Sequence, residues 1–188
     1  MFFLQPPTNE RIRSLLDSLR DAPFTHDSVG TTERELDAAP PGFLLDRYGT
    51  ELGEGEAVFE RARAALTRIE NYPPSFTRVV APPLLEPGAL FATVARHLGF
   101  VSVHPCRVIF VHDAPGCFSF GFGTLPGHAE SGEERFRVSL EAGRVRYDVQ
   151  AFSRPHGLLS RLGAPVARHY QLRFQRETMA HMRALAAG

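Results

Sequence analysis

The chain has 188 residues and is 43% hydrophobic, which is enough for one domain with a substantial core. Its 21 basic residues equal its 21 acidic residues, so the formal net charge is zero and gives no general electrostatic basis for binding nucleic acid. All the basic residues are arginine, and the lack of lysine excludes Schiff-base and P-loop chemistry.

The first residues and the cysteines bear on the cellular compartment. The opening MFFLQPP has neither the basic region nor the long apolar segment of a secretory signal, and no run is long enough to span a bilayer. We therefore expect a cytoplasmic protein without a transmembrane segment. Cys106 and Cys117 match neither CxxC nor a zinc pattern, so we expect small buried thiols, no metal and no cofactor.

The N-terminal half predicts two helices. The first spans 8–20, with Thr8 as N-cap and a stripe of leucine and isoleucine that ends before Pro23. The second spans 56–71 and ends at Tyr72-Pro73-Pro74. The polar segment 24–35 leaves room for a short edge strand.

The middle of the chain predicts an antiparallel meander. Residues 89–98 fit a helix or a buried strand, whereas 107–112 is a β-branched and aromatic run typical of a strand. Apolar and polar residues then alternate through 118–123, 135–141 and 144–151, which indicates strands with one apolar face. Glu141-Ala142-Gly143 predicts a tight hairpin between the last two.

The end of the chain predicts a long amphipathic helix. Its apolar residues recur every four positions and form one stripe: Leu158, Leu162, Val166, Tyr170 and Phe174. Pro165 fits either a bend or the first turn of the main helix. We expect one α+β domain over 1–188, with an N-terminal helical segment at about 1–22, sheet and helices at 23–155, and the long helix at about 156–187.

A family resemblance is carried by the string GTLPGH at 123–128, followed by Glu130, Gly132-Glu133-Glu134 and Phe136. It continues through AFSRP at 151–155 and LGAP at 162–165, and it resembles the DUF1990 (UPF0548) family of unassigned function. The resemblance implies a helix-grip fold similar to START and Bet v 1-like (SRPBCC) proteins. In that fold a curved antiparallel sheet wraps around a long C-terminal helix, with a cavity between them. It also implies that 89–98 is a strand and that a short first strand lies near 25–35.

The densest group of titratable side chains is His128, Glu130, Glu133 and Glu134. If these groups converge on one point they form candidate catalytic acids and bases, since proton transfer needs such groups within hydrogen-bond reach. If they lie at a solvated turn between strands, they have no such role.

A second candidate set would line a ligand site on the apolar face of the sheet, or else form the core beneath the helix. It comprises Phe110, Phe120, Phe122, Phe136, Tyr147 and Tyr170, with Arg107 and Arg154 as structural bridges or binders of a carboxylate or phosphate.

Three functions remain open from the sequence. The first is a monomeric or dimeric binding protein for a small apolar molecule such as a lipid, isoprenoid or polyketide-like compound. The second is a cyclase- or hydrolase-type enzyme that uses His128 with one of the nearby glutamates. The third is a protein-interaction domain that uses the arginines of the last helix: Arg161, Arg168, Arg173, Arg176 and Arg183.

Overall fold

In the computed structural model, residues 1–156 and 164–188 are described, with side chains of the last helix described from residue 168. The dominant element is an antiparallel sheet of eight strands that curls into a half-barrel. The strands are β1 (Phe2–Phe3), β2 (Leu44–Glu54), β3 (Thr77–Val80), β4 (Leu90–Arg96), β5 (Val101–Ala114), β6 (Cys117–Thr124), β7 (Glu130–Glu141) and β8 (Arg144–Pro155).

The main path through the sheet is β2-β8-β7-β6-β5-β4-β3, and β1 pairs with β5. From β3 to β8 every strand therefore lies beside the next one in the chain, and β2 completes the sheet next to β8. The hairpin between β7 and β8 turns through Ala142 and Gly143, whose φ angles are 49° and 83°. Both central residues thus have positive φ, as the two-residue turns that suit twisted hairpins require.

Within the described residues, three helices pack on this sheet: α1 (Asn9–Ser18), α2 (Glu56–Thr67) and α3 (Ala164–Ala187). The Thr8 hydroxyl caps α1 by accepting the Arg11 N–H at 3.3 Å, as its sequence indicates. Helices α2 and α3 lie on the concave side of the sheet, where they contact each other, β2 and β7. Pro165 lies in the first turn of α3, where its missing N–H costs no helical bond.

The main core lies between the concave face and these two helices. Phe120, Phe136 and Tyr147 from the sheet are fully buried against Leu66 of α2 and Met182 of α3. A smaller core lies under α1 on the opposite, convex face, built on Ile12 and Leu16. Burial of these apolar stripes is what holds the helices to the sheet.

The convex face of β6 carries glycines because aromatic rings lie directly on its backbone. A Cβ on Gly121 would lie 2.3 Å from the Phe110 ring, and one on Gly123 would lie 2.6 Å from the Phe24 ring. A register shift lies in the neighbouring strand, between Val108 and Phe110 of β5.

Two expectations about strands were wrong. The segment near 25–35 contains no strand; it runs over the convex face and includes a 3-10 turn at Thr31–Glu33. The first long strand is β2, which was not predicted from the sequence because Gly49 and Gly53 are unfavourable in a strand. The glycines are tolerated because β2 is an edge strand, with a register shift between Glu51 and Gly53.

The other predicted elements agree with the structure. Residues 89–98 contain strand β4, and the three alternating segments are β6, β7 and β8. The part of the predicted last helix at 157–163, with Leu158, Arg161 and Leu162, lies outside the described residues. Among the residues that are described, no helix combines the length and apolar character needed to cross a membrane.

Candidate functional site

The alternation of side chains along β7 divides the predicted acidic cluster between two faces. Glu130, Glu134 and Phe136 lie on the concave face, and Glu133 lies on the convex face. Because the side-chain period of a strand is two, neighbouring residues cannot share a face. The cluster therefore does not converge on one point.

Glu133 has a structural position. Its carboxylate accepts the N–H groups of Gly30 and Thr32, each at 2.7 Å, and the Thr32 hydroxyl. Burial raises the pKa of Glu133, although the three donors oppose this shift. This side chain holds the loop around the 3-10 turn against the sheet and is not free to react.

Glu134 is the central polar group of the concave face. Burial, together with the nearby Glu130, raises the pKa of Glu134 to about 8. Its one hydrogen bond to another described side chain is a long one, in which the Tyr48 hydroxyl donates to Oε1 at 3.4 Å. No described arginine lies within ion-pair distance of it, so Glu134 is mostly protonated at neutral pH.

Aromatic rings surround this carboxyl group. The ring centroid of Tyr72 lies 5.8 Å from that of Phe136 and 5.2 Å from that of Phe174 on α3. Tyr48 and Tyr72 belong to the interior, yet they and Glu134 each keep part of their accessible surface. Phe136, in contrast, is fully buried, so the part of the concave face that keeps accessible surface includes Glu134 and not Phe136.

The side chains of Asn71, Tyr147 and Thr178 form a hydrogen-bond network near the Glu134 carboxyl group. The Thr178 hydroxyl donates to the backbone oxygen of Asn71 at 2.6 Å, so its single proton is committed. Tyr147 must then donate to Thr178 Oγ at 3.2 Å, and Asn71 Nδ2 donates to Tyr147 Oη at 3.3 Å. Asn71 is fully buried, and its Oδ1 has no hydrogen-bond partner among the described residues.

Glu130 forms a second acidic position on the same face. Burial raises its pKa to about 7, and Gln171 of α3 donates a hydrogen bond to its carboxylate. His128 does not join it as an acid–base pair, because the Glu130 backbone N–H donates to His128 Nδ1 at 2.9 Å. Burial also lowers the pKa of His128 to about 3, so this imidazole is neutral at physiological pH.

Three further polar groups extend from His128 toward the edge of the sheet. The rings of His104 and His128 lie 4.7 Å apart. Ser102 Oγ lies 2.7 Å from His104 Nε2 and 2.6 Å from His97 Nε2. Since a hydroxyl carries one proton and can accept two hydrogen bonds, at least one of the two imidazoles must donate from Nε2 to Ser102 Oγ. Burial lowers the pKa of both, and no described set of histidine, cysteine and acidic residues is arranged to hold a metal ion.

The aromatic residues that we predicted as ligand contacts separate into three groups. Phe120, Phe122, Phe136 and Tyr147 lie on the concave face but have at most 4% exposed surface, so they form the floor of the site. Phe110 lies on the convex face against Gly121, because the register shift in β5 reverses its direction. Tyr170 is partly buried beside His97, with ring centroids 4.4 Å apart, at the end where α3 begins.

The two predicted arginines lie away from this site. Arg107 donates to the backbone oxygens of Leu19 and Arg20 at the end of α1. Arg154 lies over the Phe43 ring, 4.4 Å from its centroid. Neither arginine is placed to bind an anionic group on the concave face.

Helix α3 commits most of its described arginines to the protein itself. Arg168 pairs with Asp46 at 2.7 Å, Arg173 pairs with Glu177 at 2.6 Å, and Arg183 donates to Thr50. Two surface depressions of about 360 and 320 Å³ lie elsewhere, among the paired charges of β7 and β8 and beside α2. These features are typical of a solvated surface.

Four site residues were missed from the sequence: Tyr48, Asn71, Tyr72 and Thr178. Tyr48 lies in a segment for which no element was predicted, and Tyr72 lies at the predicted end of the second helix. Thr178 lies four residues after Phe174 on the predicted stripe, and this spacing is the one signal that could have placed it on the buried face.

A curled antiparallel sheet that holds a long C-terminal helix on its concave face defines a Bet v 1-like helix-grip protein. Within that class, the chain belongs to the family described as a domain of unknown function, DUF1990, whose model matches residues 25–181.

Relatives and solved structures agree with this assignment. The chain is 33% identical to a UPF0548 protein of Deinococcus radiodurans, over 90% of this chain and 95% of that protein. A UPF0548 protein of Dictyostelium discoideum is 28% identical, over 93% and 90% of the two chains. A hypothetical protein of Helicobacter pylori superposes with a TM-score of 0.57 at 14% identity, covering 88% of this chain and 99% of that one. The ZhuI aromatase/cyclase from Streptomyces sp. R1128 superposes with a TM-score of 0.54 at 12% identity, covering 77% and 94%.

Proposed function

We propose that this protein binds a small, largely apolar molecule between the concave face of the sheet and α3. The observation that carries the proposal is Glu134, an interior carboxyl group that is partly accessible and has one long hydrogen bond. An interior polar group without good partners is costly, so its presence calls for a role that burial alone does not give.

The surroundings of Glu134 suit an apolar ligand. Tyr48, Tyr72 and Phe174 are partly buried and pack against the core, so their rings can cover the ligand from the sheet and from α3. Pockets for small molecules combine such apolar walls with a few polar groups that fix orientation. A lipid, isoprenoid or polyketide-like compound has this balance of surfaces.

Binding of Nile red, a neutral apolar dye, tests the proposal through its fluorescence on titration. Tyr72→Ala should raise the dissociation constant of Nile red by about threefold or more, because the variant removes a wall of the site. Leu98→Ala is the matched control, since Leu98 is 94% exposed and lies outside the site. Equal affinity of Tyr72→Ala and the wild type, or loss of binding in Leu98→Ala, would contradict an interior site.

Acid–base catalysis is the second candidate function, and Glu130 favours it. A carboxyl group with a pKa of about 7 can both give and take a proton at physiological pH. A solved structure with the same fold is named an aromatase/cyclase, which agrees with the cyclase alternative. In an acid–base mechanism, Glu130 and Glu134 would be the acid and base. His128 and Glu133 would take no part, because His128 Nδ1 and the Glu133 carboxylate already accept hydrogen bonds from backbone N–H groups.

The catalytic alternative makes its own prediction. Glu130→Gln should reduce turnover of a bound ligand by about 100-fold or more, while the dissociation constant of that ligand changes little. Glu141→Gln, at the exposed end of the same strand, is the control. A ligand that stays chemically unchanged on the wild-type protein leaves binding as the function.

A further inference from the structure

Building on the proposed function, we infer that the polar end of the ligand is a protonated amine, seated between Glu134 and Asn71 Oδ1 within the aromatic rings of Tyr48, Tyr72 and Phe174. This ligand class follows from the hydrogen-bonding groups that the site leaves unused and from the charges that face it.

The site holds a buried acceptor that no described donor reaches. Asn71 Oδ1 is fully buried and has no partner among the described residues, and the network around it fixes the orientation of the amide. With the opposite orientation, Tyr147 would donate to Asn71, and the 3.2 Å contact between Tyr147 and Thr178 would have no proton. The unfilled position therefore requires a donor such as an N–H or O–H group.

Glu134 adds a second set of unfilled acceptors. Only the Tyr48 hydroxyl donates to it among the described side chains, at 3.4 Å. Tyr147 and Tyr72 both lie close enough to Glu134 for its charge to affect their pKa values. Tyr147 also accepts a hydrogen bond from Asn71 Nδ2, so Glu134 and Asn71 both lie near this tyrosine.

The charges that face Glu134 favour a cation. From β7 comes Glu130, and from β2 come Asp46 and Tyr48. From β5 comes Cys106 and from β8 comes Tyr147, whose pKa values burial raises. Arg168 of α3 is already paired with Asp46 at the rim. A carboxylate ligand would meet two acidic groups and no free described cation, whereas an ammonium group would meet acidic groups and aromatic faces.

Binding of an ammonium ion would release the proton of Glu134, because the ion pair needs the carboxylate form. Below the pKa of Glu134, about 8, affinity for an amine should therefore rise about tenfold for each pH unit. A neutral alcohol needs no such deprotonation, so its affinity should not rise with pH. A carboxylate should bind most weakly of the three, and its affinity should fall further as pH increases.

Three ligands with one carbon skeleton test this inference on the full-length protein: naphthylethylamine, naphthylethanol and naphthylacetate. Calorimetry between about pH 6 and pH 8 should give an amine affinity that rises about tenfold per unit, with proton release into the buffer. Glu134→Gln should weaken the amine by about tenfold or more and remove the pH dependence, while the alcohol changes little. Glu141→Gln should leave all three unchanged.

The outcomes separate this inference from the proposed function. If the alcohol or the carboxylate binds as tightly as the amine, or the amine shows no pH dependence, the inference is overturned while the apolar site stands. If Nile red and all three compounds fail to bind, the proposed function falls as well. The inference would also be overturned if the amine still bound more tightly than the alcohol and the carboxylate in Glu134→Gln.

Discussion

Glu133 and Glu134 are adjacent in the chain, and their carboxyl groups lie on opposite sides of the sheet. Glu133 accepts two backbone N–H groups and a hydroxyl from the loop over the convex face. Glu134 faces α3 with a single long bond from Tyr48. One acid is used to hold the structure together, and the other is left with unused acceptors in the interior.

Replacing Glu133 by glutamine should destabilise the fold without affecting the concave face. The glutamine amide has only one acceptor oxygen, so its NH₂ group would face an N–H donor from either Gly30 or Thr32. We therefore expect a loss of about 1–3 kcal/mol in the free energy of unfolding. Urea unfolding measures the loss, and Glu141→Gln should stay within about 0.5 kcal/mol of the wild type. A stable Glu133→Gln protein would show that the loop is held by other contacts.

The raised pKa of Glu134 should appear in the pH dependence of stability. The folded protein holds this proton up to about pH 8, and the ordinary value is 4.5. The contribution of Glu134 to stability is therefore complete below pH 4.5 and is lost as pH rises through about 8.

Comparison with Glu134→Gln isolates this contribution from the buried histidines and Glu130. The unfolding free energy of the wild type minus that of Glu134→Gln should fall by up to about 1.4 kcal/mol per pH unit between about pH 5 and pH 8. Urea titrations at several pH values provide the difference. A difference that is constant with pH would mean that Glu134 is ionised in the folded protein.

The network of Asn71, Tyr147 and Thr178 should depend on the hydroxyl of Thr178. Thr178→Val keeps the shape but leaves the Asn71 backbone oxygen without its donor and Tyr147 without its acceptor, so we expect a loss of about 2 kcal/mol. Thr178→Ser keeps the hydroxyl and should cost less than about 1 kcal/mol. A larger loss in Thr178→Ser than in Thr178→Val would assign the effect to packing of the methyl group.

The close approach of Phe110 to Gly121 should be visible in a double mutant. Gly121→Ala places a methyl group 2.3 Å from the Phe110 ring and should cost about 1–3 kcal/mol. In a Phe110→Leu background the same change should cost clearly less, because the ring edge is gone. Additive losses in the double-mutant cycle would show that the ring is not the source of the strain.

The two cysteines should differ in reactivity. Cys106 is 1% exposed on the concave face, and burial raises the pKa of its thiol. Cys117 is partly buried at the start of β6. Because the thiolate is the reactive form, a thiol reagent should label Cys117 first, and Cys117→Ser should leave almost no labelling of the native protein. Rapid labelling of that variant would indicate opening of the interior.

The sequence predicted the elements whose side-chain period is strong, and it failed where another effect determined the structure. Alternation in 118–151 gave the three strands of the meander, because one face of each is apolar and the other is polar. Strand β2 was missed because its glycines resemble a loop, although an edge strand tolerates them.

The site was only partly predictable for a related reason. The period of β7 could have separated Glu133 from Glu134, because Glu134 shares the parity of Phe136 on the apolar face expected beneath the helix and Glu133 does not. Tyr48, Asn71 and Thr178 are distant in sequence and meet Glu134 or Tyr147 only through the curl of the sheet. The position of Phe110 depends on a register shift that leaves no clear mark in the sequence.

The location of a bound apolar molecule tests the central claim most directly. Intermolecular nuclear Overhauser effects from Nile red to the protein would identify the residues in contact with it. We predict effects to Tyr48, Tyr72 and Phe174, the accessible rings around Glu134. Effects confined to rings of the convex face, such as Phe24 and Phe43, would contradict the account, as would no effects at saturating dye.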